Sequence, residues 1–300
     1  MDRLIKKIVE LKNPTVVGLD PVLAYIPQYI KEKQFAAHGN TFKAAAEAIL
    51  EFNKGIINEI CDIVPAVKPQ SAYYEMYGFE GVRILHATIE YAKSNGMYVI
   101  CDGKRNDIGS TAEAYSAAYL GKTTINGEYL SAFDADSLTV NGYLGSDGLK
   151  PFITDCDKYD KSIFVLVKTS NPSSGELQDL NLASGDSVYI SMADLIGDLG
   201  NSSIGKYGFS SIGAVVGATY PEQLRDLRVK YPSIFFLVPG YGAQGGKAED
   251  IKHAFNKDGI GAIVNSSRAI MCAYQKEKAD EKDFAKCARA EAIRMRDEIG

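Results

Sequence analysis

Short apolar runs alternate with longer amphipathic segments along the chain. Eight runs rich in β-branched and other apolar residues are typical of buried strands, and they cover residues 15–19, 63–68, 98–102, 137–140, 163–168, 212–216, 235–238 and 262–265. Apolar residues at helical spacing lie between and after them, at 41–61, 81–94, 110–120, 187–199, 221–231, 248–255 and 283–299. This alternation predicts a parallel sheet whose strands are joined by helical crossovers.

Polar residues follow the apolar runs, and their placement decides between two kinds of parallel sheet. They are Asp20, Lys68, Asp102, Lys104, Asn141, Thr169, Ser170, the 240–246 segment and Arg268. In a closed barrel the C-terminal ends of all strands meet at one mouth. An open doubly wound sheet is the alternative, but it would not gather eight strand ends around one ligand. We therefore predict an α/β fold of the (β/α)8, or TIM barrel, type.

No Pro-, Ser- or Gly-rich linker and no low-complexity block divides the chain, so we interpret residues 1–300 as a single barrel domain. Residues 1–12 place apolar side chains at helical spacing among charges, which predicts an N-terminal helix before the first strand. We interpret the segments near 121–131 and 171–186 as insertions in the connections between strands and helices. The second insertion is rich in Asn, Ser and Gly.

Composition and charge exclude several classes of protein. A hydrophobic content of 46% and a charged content of 24% are ordinary for a globular chain with a substantial core. The net charge of −5 supplies no basic field for nucleic acid, and no apolar run approaches the roughly 20 residues that cross a bilayer. The 5 cysteines are scattered and the 3 histidines are isolated, so we predict neither a disulfide framework nor a metal site. We expect a cytoplasmic protein that binds neither nucleic acid nor membranes.

A glycine-rich segment and an arginine at two successive strand ends predict a phosphate site. The run at 235–238 leads into Pro-Gly-Tyr-Gly-Ala-Gln-Gly-Gly over 239–246, and Arg268 follows the next strand. Glycines let backbone N–H groups approach an anion closely, and an arginine adds a charged donor. The ends of the seventh and eighth strands are the usual phosphate site of such barrels. The alternative is that these glycines only form a tight turn.

Opposite charges are concentrated at the ends of the first three strands, in Asp20, Lys68, Asp102 and Lys104, with Asp107 close behind. Because side chains two positions apart in a strand point the same way, Asp102 and Lys104 should project together. Charges beside a buried strand are costly to desolvate unless they are paired, and chains usually tolerate that cost where the charges perform chemistry. Singly, each residue could also form an ordinary salt bridge at the barrel rim.

These residues also carry a family resemblance. The chain contains Asp102-x-Lys104-x-x-Asp107, Gly18-Leu-Asp20-Pro, Lys68-Pro-Gln, Lys168-Thr-Ser-Asn-Pro, Pro239-Gly-Tyr-Gly-Ala-Gln-Gly-Gly and Arg268. Together they resemble the orotidine 5′-phosphate decarboxylase family, in its longer bacterial type, from Val16 to Ile270. The Asp-x-Lys-x-x-Asp motif alone is less specific, because a related group of sugar-phosphate decarboxylases shares it.

The resemblance implies a role for each matching residue. Lys104 would donate the proton to C6 of the pyrimidine, and Asp102 would lie beside the departing carboxylate. Lys68 would bridge the carboxylates and contact the ribose, while Asp107 would be donated across a dimer interface. The implied substrate-binding residues are Asp20 for a ribose hydroxyl, Thr111 from the partner subunit, Ser170 for the pyrimidine edge, and Gln244 with Arg268 for the phosphate. Thr169 is an alternative to Ser170, and Tyr241 either contacts the phosphate or only packs.

The implied reaction converts orotidine 5′-monophosphate to uridine 5′-monophosphate and CO2 in pyrimidine biosynthesis. It implies a homodimer with a shared site and requires neither a metal nor a cofactor. One alternative is a Mg²⁺-dependent sugar-phosphate decarboxylase on the same barrel, which would need a further carboxylate ligand. A second is an aldolase that uses Lys104 or Lys68 as a Schiff-base nucleophile, which neighbouring carboxylates disfavour. A third is a barrel that binds a phosphorylated ligand without turnover.

Overall fold

A computed structural model describes residues 1–241 and 248–300 of the protein. Its strands are β1 (Thr15–Leu19), β2 (Ala66–Pro69), β3 (Tyr98–Arg105), β4 (Thr123–Ile125), β5 (Glu128–Leu130), β6 (Ser137–Val140), β7 (Ser162–Lys168), β8 (Ile212–Val216), β9 (Phe236–Val238) and β10 (Ala262–Ser266). Eight of them close into a barrel in the order β1-β10-β9-β8-β7-β6-β3-β2, and neighbouring barrel strands are parallel. This confirms the predicted (β/α)8 barrel.

Helices connect the strands and surround the barrel. They are α1 (Asp2–Leu11), α2 (Gln28–His38), α3 (Phe42–Ile60), α4 (Ala72–Glu75), α5 (Gly78–Ser94), α6 (Gly109–Tyr119), α7 (Ser146–Tyr159), α8 (Gly175–Gln178), α9 (Val188–Gly200), α10 (Pro221–Lys230), α11 (Ala248–Ile251), α12 (Arg268–Met271), α13 (Ala273–Lys276) and α14 (Phe284–Ile299). Within the described ranges, none of these helices combines the length and apolar composition that crossing a bilayer requires.

Alternate side chains along the strands belong to two different hydrophobic clusters, one inside the barrel and one between the barrel and the helices. Inward residues such as Val16, Ile100 and Phe164 fill the barrel interior, whereas their neighbours along the strands pack against the surrounding helices. Helix α1 adds Leu4 and Ile5 to the interior cluster, and both side chains are fully buried. Because α1 packs on the interior cluster, this predicted N-terminal helix belongs to the core of the barrel and is not a peripheral extension.

The two segments interpreted as insertions lie in different connections. Residues 121–131 lie between α6 and β6 and contain the antiparallel hairpin of β4 and β5, whose residues are all exposed. Residues 171–186 lie between β7 and α9 and contain the short helix α8. A bridge between Asn181 and Ser187 closes the end of this second segment. The second insertion therefore begins directly at a strand end of the barrel mouth.

Arg228 of α10 is a buried cation that binds backbone carbonyls. Its guanidinium donates to carbonyl oxygens at 2.8–3.2 Å, and the acceptors belong to Ala254, Tyr231, Pro232, Ile234 and Gly261. The group also stacks 3.8 Å from the centre of the Phe236 ring. Burial lowers the pKa of Arg228, since charge is less stable away from water. The side chain thus ties α10 to the two strands that follow it.

Replacing Arg228 with lysine should destabilise the fold. A lysine ammonium has neither the planar fork nor the reach to satisfy these carbonyls, and each one left unpaired costs about 1–3 kcal/mol. We expect Arg228→Lys to lower the free energy of unfolding by about 3 kcal/mol, measured by urea titration. Arg225→Lys on the same helix is the matched control, because Arg225 is 53% exposed and should change stability by about 0.5 kcal/mol or less. Equal stability of the two variants would contradict this account.

Candidate active site

A cavity of about 720 Å³ opens at the carboxyl ends of the barrel strands. The inward positions that are apolar deeper in the barrel become polar here. On β1 the series Val16 and Gly18 leads to Asp20, and on β3 Ile100 leads to Asp102 and Lys104. The side-chain alternation of a strand therefore places Asp20 and Asp102 directly above the apolar interior.

Asp102 lies between two ammonium groups. Its Oδ2 atom is 2.8 Å from Nζ of Lys68, and its Oδ1 atom is 2.6 Å from Nζ of Lys104. Asp102 is 7% exposed and Lys68 is 4% exposed, while the side chain of Lys104 is 44% exposed and faces the cavity. The predicted projection of Asp102 and Lys104 to the same side is observed, and Lys68 reaches them from the neighbouring strand β2.

Burial and neighbouring charges shift the pKa values of Lys68 and Asp102 in opposite directions, and the neighbouring charges have the larger effect. Burial disfavours the ammonium of Lys68, but the carboxylates of Asp102 and Asp20 more than offset it, so the pKa of Lys68 is raised. Burial likewise disfavours the Asp102 carboxylate, and the two lysines hold its pKa well below the ordinary value. Lys68 and Asp102 are therefore both charged at neutral pH.

A bulge in β3 aims Lys104 at the cavity. The register passes from Cys101 opposite Leu138 to Arg105 opposite Val140, so three residues of β3 face only Thr139 of β6. Lys104 consequently has a φ of 47°, a left-handed conformation that is uncommon for a non-glycine residue. The sequence-based boundary at residue 102 was therefore wrong, because β3 continues through the bulge.

Thr139 stabilises the bulge and was missed by sequence reasoning. Its Oγ1 atom accepts a hydrogen bond from the backbone N–H of Lys104 at 2.9 Å and donates to Oδ1 of Asp102 at 2.8 Å. The side chain is 1% exposed. One hydroxyl thus fixes both the strained backbone and the carboxylate. Its inward position two residues after Ser137, at the end of a strand, was the only signal in the sequence.

Two buried oxygen atoms of the cavity lack partners. Oδ1 of Asp20 and Oδ1 of Asn265 have no hydrogen-bond partner among the described residues, and both residues line the cavity. Buried polar groups are normally satisfied, so these acceptors suit the hydroxyl or amide donors of a ligand. Asp20 was identified from the sequence. Asn265, the inward residue after Ile263 on β10, was not.

The other predicted contacts divide into those that reach the cavity and those that do not. Ser170 and Thr169 line it beyond β7, and Arg268 lines it at the start of α12. Tyr241 also lines it and donates a hydrogen bond to Glu298. The remaining predicted phosphate contact, Gln244, lies outside the described residues.

Asp107 and Thr111 do not reach the cavity of their own chain. Oδ1 of Asp107 accepts from the backbone N–H of Ile108 at 2.8 Å, and Thr111 is exposed on α6. Neither residue lines the cavity. The charged cluster at the ends of the first three barrel strands of one chain therefore consists of Asp20, Lys68, Asp102 and Lys104, and it does not include the third carboxylate, that of Asp107.

The fold and the cavity define a class: (β/α)8-barrel enzymes whose charged strand-end residues form an active site at the mouth. Within the described residues, no group of three His, Cys, Asp or Glu side chains is arranged to hold a metal ion. The family model described as orotidine 5′-phosphate decarboxylase / HUMPS family matches residues 37–282. The chain belongs to this family.

Relatives and solved structures agree with this assignment. An orotidine 5′-phosphate decarboxylase of Rhodopirellula baltica is 44% identical over 296 residues, covering 97% of this chain and 96% of that protein. One from Caldicellulosiruptor bescii is 42% identical over 274 residues, covering 91% and 90%. The structure of Leishmania donovani OMP decarboxylase has a TM-score of 0.71 and 29% identity, covering 99% of this chain and 96% of that one. A structure from Toxoplasma gondii has a TM-score of 0.78 and 30% identity, covering 100% and 97%.

Lowering the pH should remove the contribution of Asp102 to stability. Its pKa is lower in the folded protein than in the unfolded chain, so its contribution is present above about pH 4 and is lost as the pH falls toward the folded-state pKa. At pH 7, Asp102→Asn should lower the free energy of unfolding by roughly 3–5 kcal/mol, because it leaves buried Lys68 without its carboxylate. At about pH 2.5 the difference between the two proteins should shrink.

Urea unfolding at both pH values measures this difference. Asp226→Asn is the control, because Asp226 is 62% exposed and its one ion pair among the described residues is with its neighbour Arg225 at 3.4 Å. Its effect should be small at both pH values. An unchanged gap between the wild type and Asp102→Asn at the lower pH would show that ion pairing is not what makes Asp102 stabilising.

Proposed function

We propose that this protein decarboxylates orotidine 5′-monophosphate to uridine 5′-monophosphate and CO2, the reaction after which its relatives are named. The observation that carries this proposal is the fixed ammonium of Lys104, which faces the cavity beside the buried Lys68–Asp102 pair. The Mg²⁺-dependent sugar-phosphate alternative is not favoured, because relatives that match nearly the whole chain carry the orotidine 5′-phosphate decarboxylase name.

The charges around the mouth give the nucleotide one orientation. Arg268 follows β10 and supplies the cation for the phosphate, which Gln244 of the glycine-rich segment also contacts. Asp20 at the end of β1 offers its unpartnered oxygen to a ribose hydroxyl, and Lys68 on the adjacent strand contacts the same sugar. The base then lies beside Lys104, with its edge toward Ser170.

The chemistry of decarboxylation suits a preorganised cation. The bond between C6 and its carboxylate breaks, CO2 leaves, and the electron pair stays on C6 in the plane of the ring, where no conjugated system accepts it. An ammonium already fixed beside C6 stabilises this developing charge without reorganisation and then donates its proton there. Asp102 lies beside the departing carboxylate and, with Thr139, fixes the position of Lys104.

A second subunit completes the site in this proposal. Asp107 and Thr111 would reach the cavity of a partner in a homodimer. Large apolar side chains are exposed on the segments that follow the neighbouring strands β2, β3 and β6, where a partner would cover them: Met76 at 59%, Phe79 at 79%, Ile108 at 54% and Tyr143 at 75%. Such a concentration on one side of the mouth supports a protein interface there.

Removing the ammonium of Lys104 should abolish turnover while nucleotide binding survives. We expect Lys104→Ala to lower kcat by roughly 10³-fold or more, because it removes both the electrostatic stabilisation and the proton donor. The fall in ultraviolet absorbance as orotidine 5′-monophosphate is consumed measures the rate, and the wild-type rate should be the same with EDTA.

Lys150→Ala is the control for this experiment, because Lys150 is an exposed lysine of α7 that does not line the cavity. It should react at the wild-type rate. Near-normal turnover by Lys104→Ala would refute the assignment of the proton donor, and loss of wild-type activity with EDTA would favour the Mg²⁺-dependent alternative.

Mixing two inactive variants should restore activity if the site is shared. In a dimer of Lys104→Ala with Asp107→Ala, one site carries both substitutions and the other carries neither. After complete subunit exchange, activity should therefore recover to roughly a quarter of the wild-type value, since half of the dimers are mixed and each has one intact site. Native mass spectrometry verifies the exchange. Mixed dimers without activity would count against donation of Asp107 by the partner.

A further inference from the structure

Two successive side chains of the insertion at 171–186 bind the end of β7 through hydrogen bonds and an ion pair. Oε1 of Gln178 accepts from the backbone N–H of Thr169 at 2.9 Å, and its Nε2 donates to Oγ1 of Thr169 at 2.8 Å. Asp179, the next residue, accepts from Nζ of Lys168 with both oxygens, at 2.7 and 2.9 Å. Two adjacent residues of the insertion therefore hold two adjacent residues of the barrel mouth.

Burial makes this attachment difficult to break. The side chain of Lys168 is 0% exposed, and its ammonium lies 4.5 Å from the centre of the Tyr220 ring. Asp179 is its only carboxylate partner among the described residues, and Gln223 adds a hydrogen bond to Asp179 at 3.1 Å. Separating a buried cation from its carboxylate is strongly unfavourable. The ion pair thus anchors the insertion, and Gln178 is held at the edge of the cavity that it lines.

These contacts leave the hydroxyl of Ser170 available to a ligand at the edge of the cavity beyond β7. The backbone N–H and the hydroxyl of Thr169 are both engaged by Gln178, and the hydroxyl also donates to Oδ1 of Asn171 at 2.6 Å. The Ser170 hydroxyl, in contrast, makes no hydrogen bond to any described residue. The backbone of Ser170 also packs closely against Gly217. A side chain at position 217 would not fit there, because its Cβ would lie 2.8 Å from Cα of Ser170.

The position of this edge around the barrel points to the base of the nucleotide. Strands β3, β6 and β7 are consecutive neighbours, and Lys104, Thr139 and Ser170 line the cavity at or just beyond their respective ends. A ring placed beside Lys104 therefore extends over Thr139 toward Ser170. Arg268 belongs to the end of β10, which is not a neighbour of these strands, so the phosphate does not occupy this side.

We propose that Gln178 is a positioning residue for recognition of the base, holding the 169–170 segment so that Ser170 can hydrogen-bond the pyrimidine edge. The insertion is then a base-recognition element anchored by the Lys168–Asp179 pair. This inference rests on the proposed function, because it takes the ligand to be a pyrimidine nucleotide.

Binding of two ligands that differ only in the base tests the inference. Calorimetry compares uridine 5′-monophosphate with ribose 5-phosphate, on the wild type, Gln178→Ala and Gln178→Met. Both variants remove the two hydrogen bonds, and methionine keeps the side-chain volume. Each should bind uridine 5′-monophosphate about tenfold more weakly, as expected for one or two lost hydrogen bonds, and ribose 5-phosphate as tightly as the wild type. Glu176→Ala is the matched control, since Glu176 is an exposed residue of α8.

The possible outcomes separate this inference from the proposed function. Unchanged binding of uridine 5′-monophosphate by Gln178→Met would overturn the inference, as would an equal loss of affinity for both ligands. In either case a wild type that decarboxylates the substrate leaves the proposed function standing. A wild type that neither binds uridine 5′-monophosphate nor turns over orotidine 5′-monophosphate would overturn both. Weak binding by Glu176→Ala would assign the effect to α8 as a whole and would also contradict the role of Gln178.

Discussion

The site depends on one buried carboxylate shared by two ammonium groups. Asp102 is only 7% exposed, so its charge is stabilised chiefly by Lys68 and Lys104 beside it. Lys68 arrives from a neighbouring strand in regular geometry, whereas Lys104 arrives through a bulge in the strand that carries Asp102 itself. Because Thr139 bonds both the carboxylate and the backbone of Lys104, the cluster cannot shift one charge without disturbing the others. Electrostatic catalysis needs this rigidity, since a cation that must reorient loses much of its effect.

Charged and apolar residues occupy different parts of the mouth of the barrel. Asp20, Lys68 and Asp102 occupy the ends of β1, β2 and β3, while Leu166, Val215 and Leu237 form an apolar floor below the ends of β7, β8 and β9. A nucleotide likewise has a polar and an apolar part, since its ribose presents hydroxyls and its base has apolar faces. Closing the sheet is what brings the charged and apolar sectors to opposite walls of one cavity.

Much of this architecture was predictable, because it follows from local periodicity. The strand runs at 15–19, 137–140 and 212–216 coincide with β1, β6 and β8, and Asp102 and Lys104 project together as predicted. The bulge that directs Lys104 there does not follow from the alternation. Contacts between residues distant in sequence were not predictable. A threonine in a strand gives no sign that it supports a bulge on its neighbour, and Gln178 lies in a polar segment without periodicity. Spacing alone also did not show whether Asp107 serves the site of its own chain or, as the resemblance implies, that of a partner, since it does not reveal where a turn directs a side chain.

The mouth of the barrel carries the functional residues, and the opposite end contributes most to stability. The mouth carries unfavourable features: buried charges, a left-handed lysine and two acceptors without partners. The opposite end carries the closely packed interior and α1, and the outer wall contains the carbonyl-bound Arg228. A strained site persists only where the surrounding structure fixes it, so the apolar layers under the charges supply the stability that the mouth lacks. Those layers are built from the same strands that carry Lys68 and Asp102 at their ends, so the packing of the interior fixes the strand ends from which the charges project.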